Sequence, residues 1–396
     1  MPAFRSILII NSLCIAALMS FVAVVGPLVR TLRLAEWHGG LAVTMAGVLW
    51  VISARRWGRL SDVRGRKPVL LCSLLGFSLS FLALAGYFDM AQRMAWSLPV
   101  LLVLLIFVRG LMGLFYAAIP VVSAAWLADR FPSDERGGAM AKLGAANAVG
   151  MVLGPLLAGV LAVRHLSLPM YLATILPLSA CLLLWIKVPA TAAQQQDEES
   201  ALTCTDPRIR LPAITMFLAA CTIIAAQMCV GFYAMDRLAL NAHDGARVAG
   251  QTMAGVGVTL IVTQLLVARL HRVPQLRMIA LGALLAAAGF APLLLTSTSL
   301  GLLASYSIAA AGLGMLIPSA QVLAANAVGT NEQGLAAGTL AAAQGMASVV
   351  SPLTFTLLYQ WHWRAPFLLA CSAMILLSVL SFGRLAKRRS ASVRGP

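Results

Sequence analysis

The feature that most constrains this chain is a succession of long apolar stretches separated by short polar ones. They fall near residues 6–29, 39–57, 68–88, 98–128, 138–163, 168–188, 211–235, 247–270, 275–296, 300–327, 333–360 and 364–384. A hydrocarbon core about 30 Å thick asks for roughly 20 residues of helix. Inside it every backbone N–H and C=O must find a partner within its own element, so such runs become helices. The expectation is an all-α membrane protein with twelve transmembrane helices and the lipid bilayer as its solvent. Composition agrees, because 60% of the 396 residues are hydrophobic and 11% are charged, against about 25% charged in soluble domains. The first run is longer than the roughly 7–15-residue core of a secretory signal. It ends in Gly26-Pro27 and reads as the first span of the mature protein.

Charge sets the orientation. The chain carries a formal net charge of +16. With both termini placed in the cytoplasm, about 21 Lys and Arg fall on the cytoplasmic side, including Arg55, Arg56, Arg59, Arg64 and Arg384. About 7 fall outside, among them Arg30, Arg33, Arg93 and Arg237. This is the positive-inside pattern, and it predicts a multi-pass protein of a bacterial-type inner membrane. The basic residues are not interleaved with aromatics as a single-strand nucleic-acid groove requires, so nucleic acid is not expected as a partner. The seven cysteines are odd in number and none is spaced CxxC, so neither a disulfide framework nor a zinc site is read.

The polar, acidic stretch 189–210 divides the chain into an N-terminal six-helix bundle, 1–188, and a C-terminal one, 211–396. The halves repeat. Residues 134–157 align without a gap onto 331–354, bringing Glu135 onto Glu332, Gly137 onto Gly334 and Pro155 onto Pro352. Two pseudo-symmetric six-helix bundles that rock about a central site are a known transporter plan.

The sharpest motif lies between the second and third runs, GRLSDVRGRKPVLL at 58–71. Gly58 and Gly65 permit a close backbone approach and a tight turn. Asp62 is a lone carboxylate beside the cations Arg64, Arg66 and Lys67. This stretch resembles the signature loop of the major facilitator superfamily, with Gly58, Leu60, Asp62, Gly65, Arg66 and Lys67 at the matching positions and Val63 where a basic residue is usual. The resemblance extends over the whole chain and implies a gate. Asp62 would lie against the start of the eleventh span, around Asn331 to Gly334, where a helix N-terminus favours a carboxylate. Arg66 would pair with Asp129.

A second motif, GMVLGPLLAG at 150–159, spaces Gly150 and Gly154 on one helix face, which lets a neighbouring helix approach closely. Pro155 withdraws a backbone donor. With Gly159, this resembles the fifth-span motif of exporting members of the superfamily. Ala158 and Ala141 stand where that motif has glycine, and Ser351-Pro352 occupies the matching place in the second half.

The third feature is Arg109, deep in the fourth run. A mid-span charge costs about 2.5–3.5 kcal/mol on insertion scales and marks a functional position. Every acid in the sequence lies in a loop or near a span end. Arg109 thus has no counter-ion within the spans, and a buried charge needs one. The substrate can supply it, which points to an anionic cargo such as a siderophore; otherwise Asp62, Asp129 or Asp236 couples protons from a boundary position. The resemblance places the substrate cavity on spans one, four, seven and ten. Candidate lining residues are Asn11, Phe21, Arg109, Tyr116, Gln227, Tyr233 and Tyr306, with Gln344 as a further polar group in a span.

The reading is a secondary active transporter, a proton-driven exporter of a drug or endogenous metabolite, working by alternating access as a monomer. No cofactor is expected beyond the proton gradient, and no metal. An uptake symporter for an organic anion is the alternative. A polytopic membrane enzyme would need a catalytic cluster facing a cavity, and no acid or histidine lies inside the spans to build one.

Overall fold

The computed structural model describes residues 2–94, 96–189, 207–269, 273–329 and 332–393. The helices are α1 (Pro2–Thr31), α2 (Glu36–Arg64), α3 (Arg66–Arg93), α4 (Leu98–Tyr116), α5 (Ala118–Arg130), α6 (Ser133–Ala162), α7 (Leu168–Lys187), α8 (Arg210–Arg237), α9 (Ala242–Arg269), α10 (Gln275–Phe290), α11 (Ser299–Ala325), α12 (Gln333–Trp361) and α13 (Ala365–Val393). A single 3-10 turn, Ala291–Leu294, extends α10. With α4 and α5 counted as one span, twelve spans among the described residues are long and apolar enough to cross a membrane. Most of the 189–210 stretch, residues 190–206 with Cys204, lies outside the described residues.

The connections follow from local chemistry. Gly65 alone separates α2 from α3, at φ 88° and ψ 154°. At this positive φ a side chain would crowd the preceding carbonyl group, which is why glycine sits there. The fourth span differs from a single unbroken run, because it divides at Ala117. Pro120, one turn into α5, has no N–H to offer the Tyr116 carbonyl and crowds it with its ring. Just before the break, the Leu114 carbonyl accepts from Trp57 Nε1 at 2.7 Å and Ser53 Oγ at 3.3 Å, so side chains of α2 steady this stretch of α4.

The described helices pack as two compact units. The first comprises the described parts of Met1–Asp197, Met228–Ala254 and Pro352–Gln360. In it α1 packs on α6 and α7, α2 on α4, and α3 on α7. One end each of α8, α9 and α12 joins this unit through points of very close backbone approach. A methyl placed on Gly26 of α1 would lie 2.9 Å from the Phe232 nitrogen of α8, and one on Gly159 of α6 would lie 3.1 Å from the Gly250 Cα of α9. The second unit comprises the described parts of Glu198–Gln227, Gly255–Ser351 and Trp361–Pro396. There α10 packs on α11 and α13. A small core of Ile209, Ala213, Met216, Ala324, Ala336 and Leu340 joins α11, α12 and the start of α8. Large apolar side chains such as Leu79, Val103 and Phe107 are exposed, as they are where lipid rather than water is the solvent.

Candidate functional site

Arg109, the twelfth of the 19 residues of α4, is 4% exposed. Its guanidinium carbon lies over the Phe21 ring of α1, 4.2 Å from the ring centroid. Nη1 reaches Met112 Sδ at 3.4 Å, while Nε has no hydrogen-bond partner. Among the described residues no carboxylate lies within 4.0 Å of it. The positive charge is therefore held by an aromatic face and a thioether, both weak partners beside a carboxylate. The Met112 contact is its one hydrogen bond among the described residues, so most of the guanidinium's five donors are unused by the protein.

The neighbouring candidates take different roles. Asn11 Nδ2 donates to the Ile7 carbonyl and to Ser123 Oγ, both at 2.9 Å, so it ties α1 to α5 and has no amide hydrogen left for cargo. Tyr116 closes α4 between Trp50 and Phe77, with centroids 6.3 and 5.2 Å away. Gly113, four residues after Arg109, seats α4 against α2, because a methyl there would collide with the Ala46 carbonyl. Tyr233 is fully buried beside Arg237 in α8.

In the second unit, Gln227 is half-buried on α8. Tyr306 is buried, and its hydroxyl donates to the Ala226 carbonyl at 3.1 Å, joining α11 to α8. Gln344 lines a pocket of 370 Å³ with Gln321, Met216 and Leu340.

The 58–71 motif forms one charge cluster. Arg66 is almost wholly buried, and Nε donates to Asp129 Oδ2 at 2.9 Å. Its Nη1 donates to Ser61 Oγ at 2.6 Å and contacts Asp62. One guanidinium thus bridges α2, α3 and α5. Lys67 Nζ donates to the Trp185 carbonyl at 2.9 Å, tying the start of α3 to the end of α7. The close approach that Gly58 permits is not used in this structure. A methyl there would rest 3.5 Å from Val121 Cγ1, an ordinary van der Waals contact, so only Gly65 is demanded by geometry. Asn331, towards which Asp62 was expected to point, lies outside the described residues.

On α6, methyls at Gly150 and Gly154 would strike the Ser12 and Ala16 carbonyls of α1. The Gly154 carbonyl, one residue before Pro155, accepts from Ser20 Oγ at 3.2 Å. Gly159 serves a different neighbour, α9.

One cluster was missed in the sequence. At the end of the spans opposite Asp62, Arg30 Nη2 contacts Glu36 Oε1 at 2.6 Å and Asp236 Oδ2 at 2.9 Å. The Tyr359 hydroxyl donates to the same Asp236 oxygen at 3.1 Å, and Phe232 packs on Tyr359. The only hint in the sequence is that these residues close spans on one side of the membrane. Arg30 and Asp236 are 206 positions apart, and nothing local pairs them.

Among the described residues, twelve spans, a buried mid-span arginine without a carboxylate partner, and charge clusters at both span ends mark a polytopic membrane transporter. A family model described as Major Facilitator Superfamily matches residues 7–338 and 215–395, and the chain belongs to that family. It is 29% identical over 352 residues to a protein named tetracycline resistance protein, class G, from Vibrio anguillarum, covering 82% of this chain and 84% of that one. It is 32% identical over 161 residues to a multidrug resistance protein, MdtG, from Serratia proteamaculans, covering 40% of this chain and 36% of that one. Among solved structures, a bacterial homologue of the human lysosomal transporter Spinster matches at a TM-score of 0.75 and 14% identity, covering 98% of this chain and 97% of that one.

Proposed function

We propose that this protein exports a small organic molecule bearing an acidic group, by proton-driven alternating access across a bacterial inner membrane with both termini in the cytoplasm. The observation that carries the reading is Arg109, buried on the face of Phe21 without a protein carboxylate. In this reading the counter-ion that Arg109 lacks arrives with the cargo. Export is favoured by the relatives named for tetracycline and multidrug resistance. Drugs and carboxylate-bearing metabolites such as siderophores are the cargo classes of choice.

Proton coupling runs through carboxylates at the span ends. Asp62 and Asp129 share Arg66, and Asp236 holds Arg30 and the Tyr359 hydroxyl. Protonating any of them discharges the bond to its arginine, which links proton binding to the release of one end. The two six-helix repeats, 1–188 and 211–396, are the moving bodies in this reading. The test is transport in everted membrane vesicles. An exporter accumulates tetracycline or a carboxylate-bearing siderophore inside energised vesicles and loses it when a protonophore is added. Accumulation only in right-side-out vesicles would establish the uptake alternative instead.

A further inference from the structure

An apolar groove of 580 Å³ runs between α3 and α7, lined by Leu71, Leu75, Ile175, Leu178, Leu182 and Trp185. We propose that it holds one acyl chain of an anionic phospholipid whose headgroup sits on Lys67.

The geometry sets the depth. Ten residues of α7 separate Trp185 from Ile175, a rise of about 15 Å at 1.5 Å per residue. That is half of a hydrocarbon core of about 30 Å, the depth of one leaflet. Trp185, at one end of the groove lining, is 66% exposed and lies two residues before the end of α7. An exposed tryptophan at a span end is the usual marker of the headgroup level.

The charge sits where a headgroup would need it. Lys67, Leu71 and Leu75 are four residues apart and form one stripe of α3, so the ammonium caps the apolar wall. Lys67 Nζ spends one donor on the Trp185 carbonyl. An ammonium has three donors, and among the described residues no carboxylate lies within 4.0 Å of Lys67. Basic positions between membrane helices at the headgroup level take anionic lipid heads. The lining is mostly aliphatic: the Ser179 hydroxyl at its wall already donates to the Leu176 carbonyl at 2.7 Å, and Cys181 and the Trp185 indole are the other groups there with polar atoms.

Native mass spectrometry of the whole protein, incubated with dioleoyl-phosphatidylglycerol or dioleoyl-phosphatidylcholine, tests this. The wild type is expected to retain phosphatidylglycerol at least five-fold more than phosphatidylcholine. Leu178→Trp, which fills the groove, should lower retention of both lipids. Lys67→Gln should abolish the preference, and Lys67→Arg should restore it. A circular-dichroism melt confirms that each variant is folded, and the wild-type lipid preference is readable without any of them. Equal retention of the two lipids by the wild type overturns the proposal. So does a preference that survives Lys67→Gln, or a Leu178→Trp protein whose only change is from dimer to monomer, since the groove would then seat a second copy of the chain.

Discussion

Arg30 at the end of α1 grips both oxygens of Asp236 at the end of α8, at 2.9 and 3.2 Å. Glu36 and Tyr359 complete the cluster, so four helix ends, α1, α2, α8 and α12, meet at one guanidinium and one carboxylate. The side chains of Arg30 and Asp236 are 41% and 35% exposed, and exposed pairs are worth about 0.2–1 kcal/mol. That is too little to hold the fold. It is enough to bias two near-equal states, since 1 kcal/mol shifts an equilibrium about five-fold.

The first prediction follows. Asp236→Asn should leave thermal stability nearly unchanged while loosening this end. With the native cysteines replaced, a cysteine at position 232, where the native Phe232 is buried, should then alkylate several-fold faster. An unchanged alkylation rate would show that the cluster does not hold this end closed.

Arg109 makes the sharper prediction. Its planar cation rests on Phe21, and a desolvated cation–π contact is worth about 2 kcal/mol. Lysine cannot stack in the same way. A lysine keeps part of the cation–π attraction, so Arg109→Lys should lower transport efficiency by less than the roughly 30-fold that loss of the whole contact would give. Arg109→Gln should abolish transport of a carboxylate cargo and spare its methyl ester. Competition between acid and ester in everted vesicles reads the difference directly, and equal loss of both would remove the counter-ion argument.

How much of this was legible in the sequence depends on the range of each interaction. The spans were, because lipid forces every long apolar run into a helix. The break at Ala117 was visible only as Pro120, and a proline inside a span often leaves the helix continuous, as Pro155 does in α6. The isolation of Arg109 could be read because it needed only a list of where the acids fall. What holds its charge could not, since Phe21 lies 88 positions away. Asn11 and Tyr306 looked like cavity polar groups, yet hydrogen bonds to Ile7 in its own helix and to Ser123 of α5 claim Asn11's amide hydrogens, and the Ala226 carbonyl of α8 claims Tyr306's hydroxyl proton. Side-chain polarity shows that a partner exists and does not say which.

The glycines of α6 give a graded prediction. Gly154→Val drives a branched side chain into the Ala16 carbonyl of α1. Overpacking of this kind costs about 1–3 kcal/mol, and here the obstacle is backbone that cannot rotate away. Gly58→Ala meets only Val121 at ordinary contact distance and should be tolerated. Detergent melting temperatures should fall clearly for Gly154→Val and stay within a degree or two for Gly58→Ala. A large loss at Gly58 would mean that this position needs glycine in a conformation other than the one described.

The two carboxylates on Arg66 should not be equivalent. Asp129 has 10% of its side chain exposed and Asp62 has 30%, while Arg66 is 4% exposed. Removing one partner of a buried pair costs about 3–5 kcal/mol, mostly from the charge left behind. Asp62 still offers Arg66 partial compensation when Asp129 is lost, so Asp129→Ala should fall at or below the lower end of that range. Asp62→Asn keeps an acceptor oxygen for Arg66, sits nearer to solvent, and should cost less than 1 kcal/mol. Transport should rank differently if Asp62 has a gating role: Asp62→Asn would then impair flux more than its small stability loss explains. Melting temperature and flux measured on the same preparations separate the two effects, and parallel losses in both would assign Asp62 to the fold alone.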